Sequence, residues 1–172
     1  MPGSGKTTIK EFIQNMDYSV IAMGDVIREE AKKRGLKPNA KNLGRIMILL
    51  REEEGPEIVA KRCVKKIQVS EQRVLVIDGL RSLSEVEEFR KHFAGFTIIG
   101  IHASPKTRFN RLLSRKRSDD PISWNNFAVR DMRELKVGLG NVFAISDQII
   151  INEGTKDDLK KRLHKVMMEL IF

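Results

Sequence analysis

Met1-Pro2-Gly3-Ser4-Gly5-Lys6-Thr7-Thr8 opens the chain. The stretch fits the phosphate-binding-loop pattern Gly-x-x-x-x-Gly-Lys-Ser/Thr from its second position on. Gly5-Lys6-Thr7 supplies the end of the pattern and Met1 to Ser4 the spacer, so the first glycine falls one position before Met1. Small residues let backbone N–H groups turn inward around a polyphosphate at the positive end of the following helix. In such a loop the lysine reaches the β- and γ-phosphates and the hydroxyl ligates Mg²⁺. Lys6 and Thr7 are therefore candidates for those two roles. Gly3, Ser4, Gly5 and Thr8 complete an expected ATP cradle. The competing reading is a plain helix-capping turn. It is the weaker one, because Gly-Ser-Gly-Lys-Thr-Thr runs straight into Ile9, Phe12 and Ile13 at helical spacing.

Composition narrows the class. At 172 residues, 41% hydrophobic and 32% charged, the chain reads as one globular domain with a sizeable core. No apolar run approaches the roughly 18 residues a membrane span needs. A single cysteine, Cys63, excludes an internal disulfide and suits a reducing cytoplasm. Cys63 and three dispersed histidines (His92, His102, His164) form no metal-ligand cluster. The net charge of +9 fits either a nucleic acid or a phosphate-rich substrate. Lys106, Arg108, Arg111, Arg115, Lys116 and Arg117 fall within 12 residues that hold no Asp or Glu. That concentration suits a phosphate clamp at least as well as an RNA face.

Along the chain, helices are expected over 6–16, 25–34, 40–53, 56–68, 83–92, 105–116, 124–137 and 155–170. Strands are expected over 18–22, 73–77, 96–102 and 148–151. The strand segments YSVIA, RVLVI, FTIIGI and QIII are near-continuous apolar runs, as strands of a buried parallel sheet should be. Their alternation with helices implies an α/β protein with a parallel sheet covered on both faces. The gap of mostly helix after the first strand reads as a helical insertion, about 24–70. Phosphate-binding loops are fed by a strand, and the sequence holds no residues for it. The expectation is an apolar strand upstream of Met1, or a slot filled by another segment or chain.

Beyond the loop, three further stretches carry a resemblance. They are Met23-Gly24-Asp25-Val26-Ile27-Arg28, Val76-Ile77-Asp78-Gly79-Leu80-Arg81 and Arg111-Leu112-Leu113-Ser114-Arg115-Lys116-Arg117. With the loop they resemble the nucleoside-monophosphate kinase group of P-loop kinases. Within it they are similar to the archaeal adenylate-kinase-related, dephospho-CoA-kinase-like proteins. The resemblance spans the chain apart from the absent first strand. It implies a three-layer α/β/α P-loop kinase fold and phosphoryl transfer from Mg·ATP to a small phosphorylated acceptor such as AMP. In that family the Arg of Ser-Thr-Gly-Asp-Met-Leu-Arg grips the acceptor phosphate, a role that falls to Arg28. Met23 stands where the family has the Thr near the acceptor base. Asp78 matches the Asp of Asp-Gly-Phe-Pro-Arg and is implied as a Mg²⁺ ligand, directly or through water. Arg81, one position off in spacing, is implied as a second acceptor ligand. Arg111 and Arg115 match an Arg-x-x-x-Arg that meets donor base and donor phosphate, with Arg108 one turn earlier as a third guanidinium. Arg130, and after it Arg133, are further phosphate ligands. Asn152-Glu153-Gly154 matches the loop lining the donor base, where backbone atoms do most of the work. The lid, about 116–123, is short.

A phosphate acceptor is already a nucleophile and needs no general base. A hydroxyl acceptor, as in dephospho-CoA, needs one, and Asp25 is the candidate. Two readings from other classes stay open. One is a nucleotide-binding regulator or weak ATPase. The other is an RNA-associated protein, opposed by the lack of aromatic residues among the clustered arginines. Hydrophobic positions take structural roles. Leu159, Leu163, Val166, Met167 and Leu170 form a packing stripe, Trp124 anchors the lid helix, and Ile46, Met47, Leu49 and Leu50 are core. The expected protein is cytoplasmic, a monomer or small homo-oligomer, with no membrane or nucleic-acid partner.

Overall fold

The computed structural model describes residues 1–115 and 120–171. The chain divides into two compact units, one of residues 1–17 and 97–172, the other of residues 18–96. The expected lid falls partly on residues 116–119, outside the described residues.

The 18–96 unit runs β1 (Ser19–Ala22), α2 (Met23–Lys33), α3 (Ala40–Glu54), α4 (Ile58–Gln68), β2 (Leu75–Asp78) and α5 (Leu83–His92). β1 and β2 pair in parallel, with Ala22 opposite Asp78 at their C-terminal ends. The helices bury the stripes their periodicity predicts. Met23, Val26, Ile27, Glu30 and Ala31 are the buried positions of α2, and Val59, Ala60, Cys63, Val64 and Ile67 most of those of α4. Ile46, Met47 and Leu50 of α3 join this core, while Leu49 is half-buried. α5 begins with a complete capping box, Ser82 with Glu85.

The other unit runs α1 (Lys6–Gln14), β3 (Ile99–His102), α6 (Pro105–Arg115), α7 (Trp124–Val137), α8 (Leu139–Ala144), β4 (Gln148–Ile151) and α9 (Lys156–Ile171). β3 and β4 pair in parallel, with His102 opposite Ile151. α9 packs on α1 and β4 and buries Leu159, Leu163 and Met167. Leu170, read as part of that stripe, is exposed.

Among the described residues the strands form two separate two-stranded parallel sheets rather than one continuous sheet. They are also less buried than their apolar runs suggest. In β4 only Ile150 is buried, while Ile149 and Ile151 are exposed. Side chains alternate across a strand, and α9 covers a single face of this one. No helix among the described residues is long and apolar enough to cross a membrane.

Candidate functional site

In the unit that holds α1, the loop 1–5 is built by its glycines. Gly3 and Gly5 sit at φ +78° and +110°, in the region that L side chains rarely adopt. Their close approaches demand glycine independently. A Cβ on Gly3 would stand 2.7 Å from the Arg108 carbonyl oxygen, and one on Gly5 2.4 Å from Asn152 Nδ2. Gly5 also starts α1, and no side-chain cap is donated to that helix. An uncapped helix N-terminus behind a glycine loop leaves backbone donors for an anion. Ser4 is 1% exposed, and its Oγ has no hydrogen-bond partner. Lys6 and Thr7, one step further on, are exposed.

Two side chains seat the loop from outside. Asn152 follows β4, is buried, and its Nδ2 donates to the Ser4 carbonyl at 2.8 Å. Arg108 on α6 is 3% exposed and donates to the Pro2 carbonyl at 3.3 Å and the Ala103 carbonyl at 3.0 Å. It also makes a two-pronged pair with Asp131 of α7 at 2.7 and 2.5 Å and lies 4.9 Å above the Phe127 ring. Arg108, grouped by sequence with the phosphate-seeking arginines, is thus a buried, neutralised structural cation. The pairing partner lies 23 residues away and leaves no local signature.

Arg111, one turn on, donates to the carbonyls of Asn152 at 2.9 Å and Gly154 at 3.1 Å. It holds the 152–154 segment by its backbone. Glu153 caps α6, accepting from Thr107 Oγ1 at 2.5 Å and from the Ser104 amide. These donors hold its carboxyl below the usual range, Thr107 most of all. Arg115 pairs with Asp120 through Nε at 2.9 Å, and Arg130 approaches the same carboxylate at 3.8 Å. Asp120, 4% exposed in its side chain, therefore gathers two of the predicted phosphate arginines. Trp124 anchors α7 by edge and tilted contacts with Phe109 and Phe127 at 5.3 and 5.2 Å.

In the 18–96 unit the remaining candidates gather at the C-terminal ends of β1 and β2, where ligands bind in open α/β sheets. Asp78 is the last residue of β2 and is half-buried. Gly79 follows at φ +107° and lies close to Met23 at the start of α2, with an added Cβ 3.6 Å from the Met23 Cβ. Asp25 and Arg28 pair on the exposed first turns of α2 at 2.5 Å. Arg81 turns toward α3, its guanidinium 3.2 Å from the Met47 sulfur, while its amide donates to Glu85 at 2.8 Å.

The residues present fit a bound Mg·nucleotide. The loop offers an orphaned buried hydroxyl, an uncapped helix and glycine-only backbone. Among the described residues no group of three or more His, Cys, Asp or Glu could hold a metal ion. Mg²⁺ takes only one or two protein oxygens beside substrate phosphates, so the Thr7 hydroxyl at the loop's end is a sufficient protein ligand.

Over residues 1–127 the sequence matches the AAA domain family. A UPF0200 protein of Methanothermobacter thermautotrophicus is 45% identical over 170 residues, spanning 99% of this chain and 87% of the relative. A UPF0200 protein of Hyperthermus butylicus is 41% identical over 170 residues, spanning 99% and 91%. Among solved structures, TT1252 from Thermus thermophilus is similar with a TM-score of 0.66 at 18% identity, over 99% of this chain and 94% of that one. That likeness is one of fold.

Proposed function

Since this chain belongs to the UPF0200 family and carries an AAA domain with a P-loop, we propose that it transfers the γ-phosphoryl group of Mg·ATP to a small phosphorylated acceptor, foremost a nucleoside monophosphate such as AMP. The fold assigned with this reading is a three-layer α/β/α P-loop kinase, with α2 to α4 as the helical acceptor-side insertion. The observation that carries it is the glycine-built loop, seated on Asn152 and Arg108, that leads into the uncapped α1 with Lys6 and Thr7 next in line.

Bound Mg²⁺ would offset the negative charge of the donor phosphates. The chain's own residues do the positioning. Lys6 and the loop amides hold the β- and γ-phosphates. Thr7 and Asp78 are the magnesium ligands that their motifs imply. Arg115 and Arg130, gathered by Asp120, supply positive charge where it develops, while Arg111 fixes the segment that lines the donor base. Arg28, with Arg81, receives the acceptor phosphate. Its pair with Asp25 is no obstacle, because an exposed ion pair is worth under about 1 kcal/mol and a phosphate outcompetes it. Catalysis in this scheme rests on orientation and electrostatics.

A second reading, a nucleotide-binding regulator or weak ATPase, is favoured by the engagement of the Arg81 guanidinium with Met47. A hydroxyl acceptor of the dephospho-CoA kind would require Asp25 to leave Arg28 and act as base.

The test is a coupled assay of ADP formation from Mg·ATP with AMP, CMP, UMP, GMP or dephospho-CoA, and with no acceptor. Acceptor-dependent ADP is expected. Lys6→Ala should lower kcat/KM roughly 100-fold, and Arg28→Ala should raise the acceptor KM while sparing ATP affinity. Turnover without acceptor dependence would move the assignment to an ATPase, and unchanged ATP binding in Lys6→Ala would refute the site.

A further inference from the structure

The peptide bonds of the loop link each carbonyl to the next residue's amide. In a trans peptide plane the C=O of one residue and the N–H of the following residue point in opposite directions. Turning the Pro2 and Ser4 carbonyls outward therefore turns the Gly3 and Gly5 amides the other way. Two side chains hold those carbonyls outward, Arg108 at Pro2 and Asn152 at Ser4. Gly3 rests directly on the Arg108 backbone, so the first half of the loop has its seat on this one residue.

Arg108 is more elaborate than that seat requires for stability alone. Its Nε is satisfied by the Ala103 carbonyl and its charge by Asp131, and its Cζ lies over the Phe127 ring. The Pro2 contact is the one that reaches the loop. A guanidinium can serve all three residues because its donors diverge in a rigid fork. Lysine ends one bond short of the Nη1 that serves both Pro2 and Asp131, so its ammonium, held at the carboxylate, loses the longer Pro2 contact. A buried ion pair contributes little net stability compared with an apolar replacement of equal volume.

From this geometry we infer that Arg108 and Asp131 are a positioning pair that aims the Gly3 amide into the phosphate cradle, and so set donor affinity from α6 and α7 without touching the nucleotide. The inference rests on the nucleotide-site reading of the loop. It gives Arg108 a role other than the phosphate contact that its place beside Arg111 implied, and it assigns one to Asp131, which no motif includes. It also ties the loop to α7, which carries Arg130 beside Asp131.

The experiment compares the full-length protein with Arg108→Lys and with the double substitution Arg108→Met/Asp131→Leu. The double variant removes both charges together and so avoids a buried unpaired ion. Amide hydrogen exchange of the nucleotide-free proteins is read by mass spectrometry over peptides covering 1–8, α6 and α7. ATP affinity is read by titration calorimetry. Loss of a hydrogen bond from a charged donor corresponds to about tenfold in affinity. Both variants should therefore show exchange in residues 1–8 and the ATP Kd each raised about tenfold, with α6 and α7 protected as in the parent. Unchanged exchange and Kd in either folded variant would overturn the pair's role. So would exchange rising equally across the loop, α6 and α7, which is the signature of a merely structural pair. If the parent protein binds no ATP, the proposed function fails, while the exchange comparison still decides whether Arg108 orders the loop.

Discussion

Gly5 shows how little a residue of this site can change. Its φ of +110° strains any L side chain, and a methyl group there would collide with the Asn152 amide and stand 3.0 Å from Leu159. Gly5→Ala should therefore cost about 1–3 kcal/mol of stability, measured by urea unfolding, and release the Asn152 bond to Ser4. A stability within about 0.5 kcal/mol of the parent would contradict that geometry. The requirement for glycine is written in the motif. The identity of what presses against it is not. Asn152 is far away in sequence, and its motif pointed to backbone contacts, whereas its side chain is the part that grips the loop. Arg108 and Arg111 look alike in sequence, one turn apart on α6. Burial separates them, since Arg108 is locked to Asp131 while Arg111 reaches the 152–154 backbone.

At the scale of elements, most helix limits were legible because capping and punctuation are local. Asn39, Ser82 and Ser123 cap α3, α5 and α7 with their side chains, and Gly138 ends α7 in the left-handed region. The short α8 carries no such signal, because Gly138-Leu139-Gly140-Asn141 has the composition of a loop. Strand β3 begins at Ile99, later than its apolar run implies. The Ile98 amide and carbonyl are taken by Asp147, through its side chain at 2.8 Å and its amide at 3.0 Å. What ties α2, α3 and α4 together is charge as well as apolar packing. Glu30 accepts from Arg34 and Arg62 at 2.7 Å each, and those arginines reach Glu53 and Glu54 at 2.6 Å. Glu30→Ala removes the most buried carboxylate of this network from both guanidiniums and should lower stability by about 2 kcal/mol. Glu53→Ala, at an exposed rim, should cost less than about 1 kcal/mol. Equal losses for the two in chemical unfolding would mean that the network has no buried centre.

At the scale of the whole molecule, acid is the condition to which these contacts are most exposed. Glu30, Glu53, Glu57, Glu153 and Asp158 all titrate below their ordinary values of 4.5 for Glu and 3.8 for Asp. The leading causes are hydrogen bonds from Arg62, Arg34, Lys61, Thr107 and Thr155 respectively. A depressed carboxyl pKa means that the folded state binds fewer protons than the unfolded state. The stabilisation is thus fully present above the ordinary pKa and is lost as pH falls through the lower, folded value. Tm should stay level from neutral pH down to about 5 and fall steeply below about 4.5. A Tm that held level to about pH 3 would show that these bonds do not survive in solution. The sequence by itself determined the phosphate-binding loop, the α/β alternation, and the helices with their buried stripes. Those features depend on residue type and on spacing within a few turns of chain. Only the tertiary structure decided that the strands form two parallel pairs, that Asp131 neutralises Arg108, and that Asn152 and Arg108 seat the loop. These depend on burial and on partners many residues apart, and no local pattern records which distant side chain will satisfy a buried charge or carbonyl.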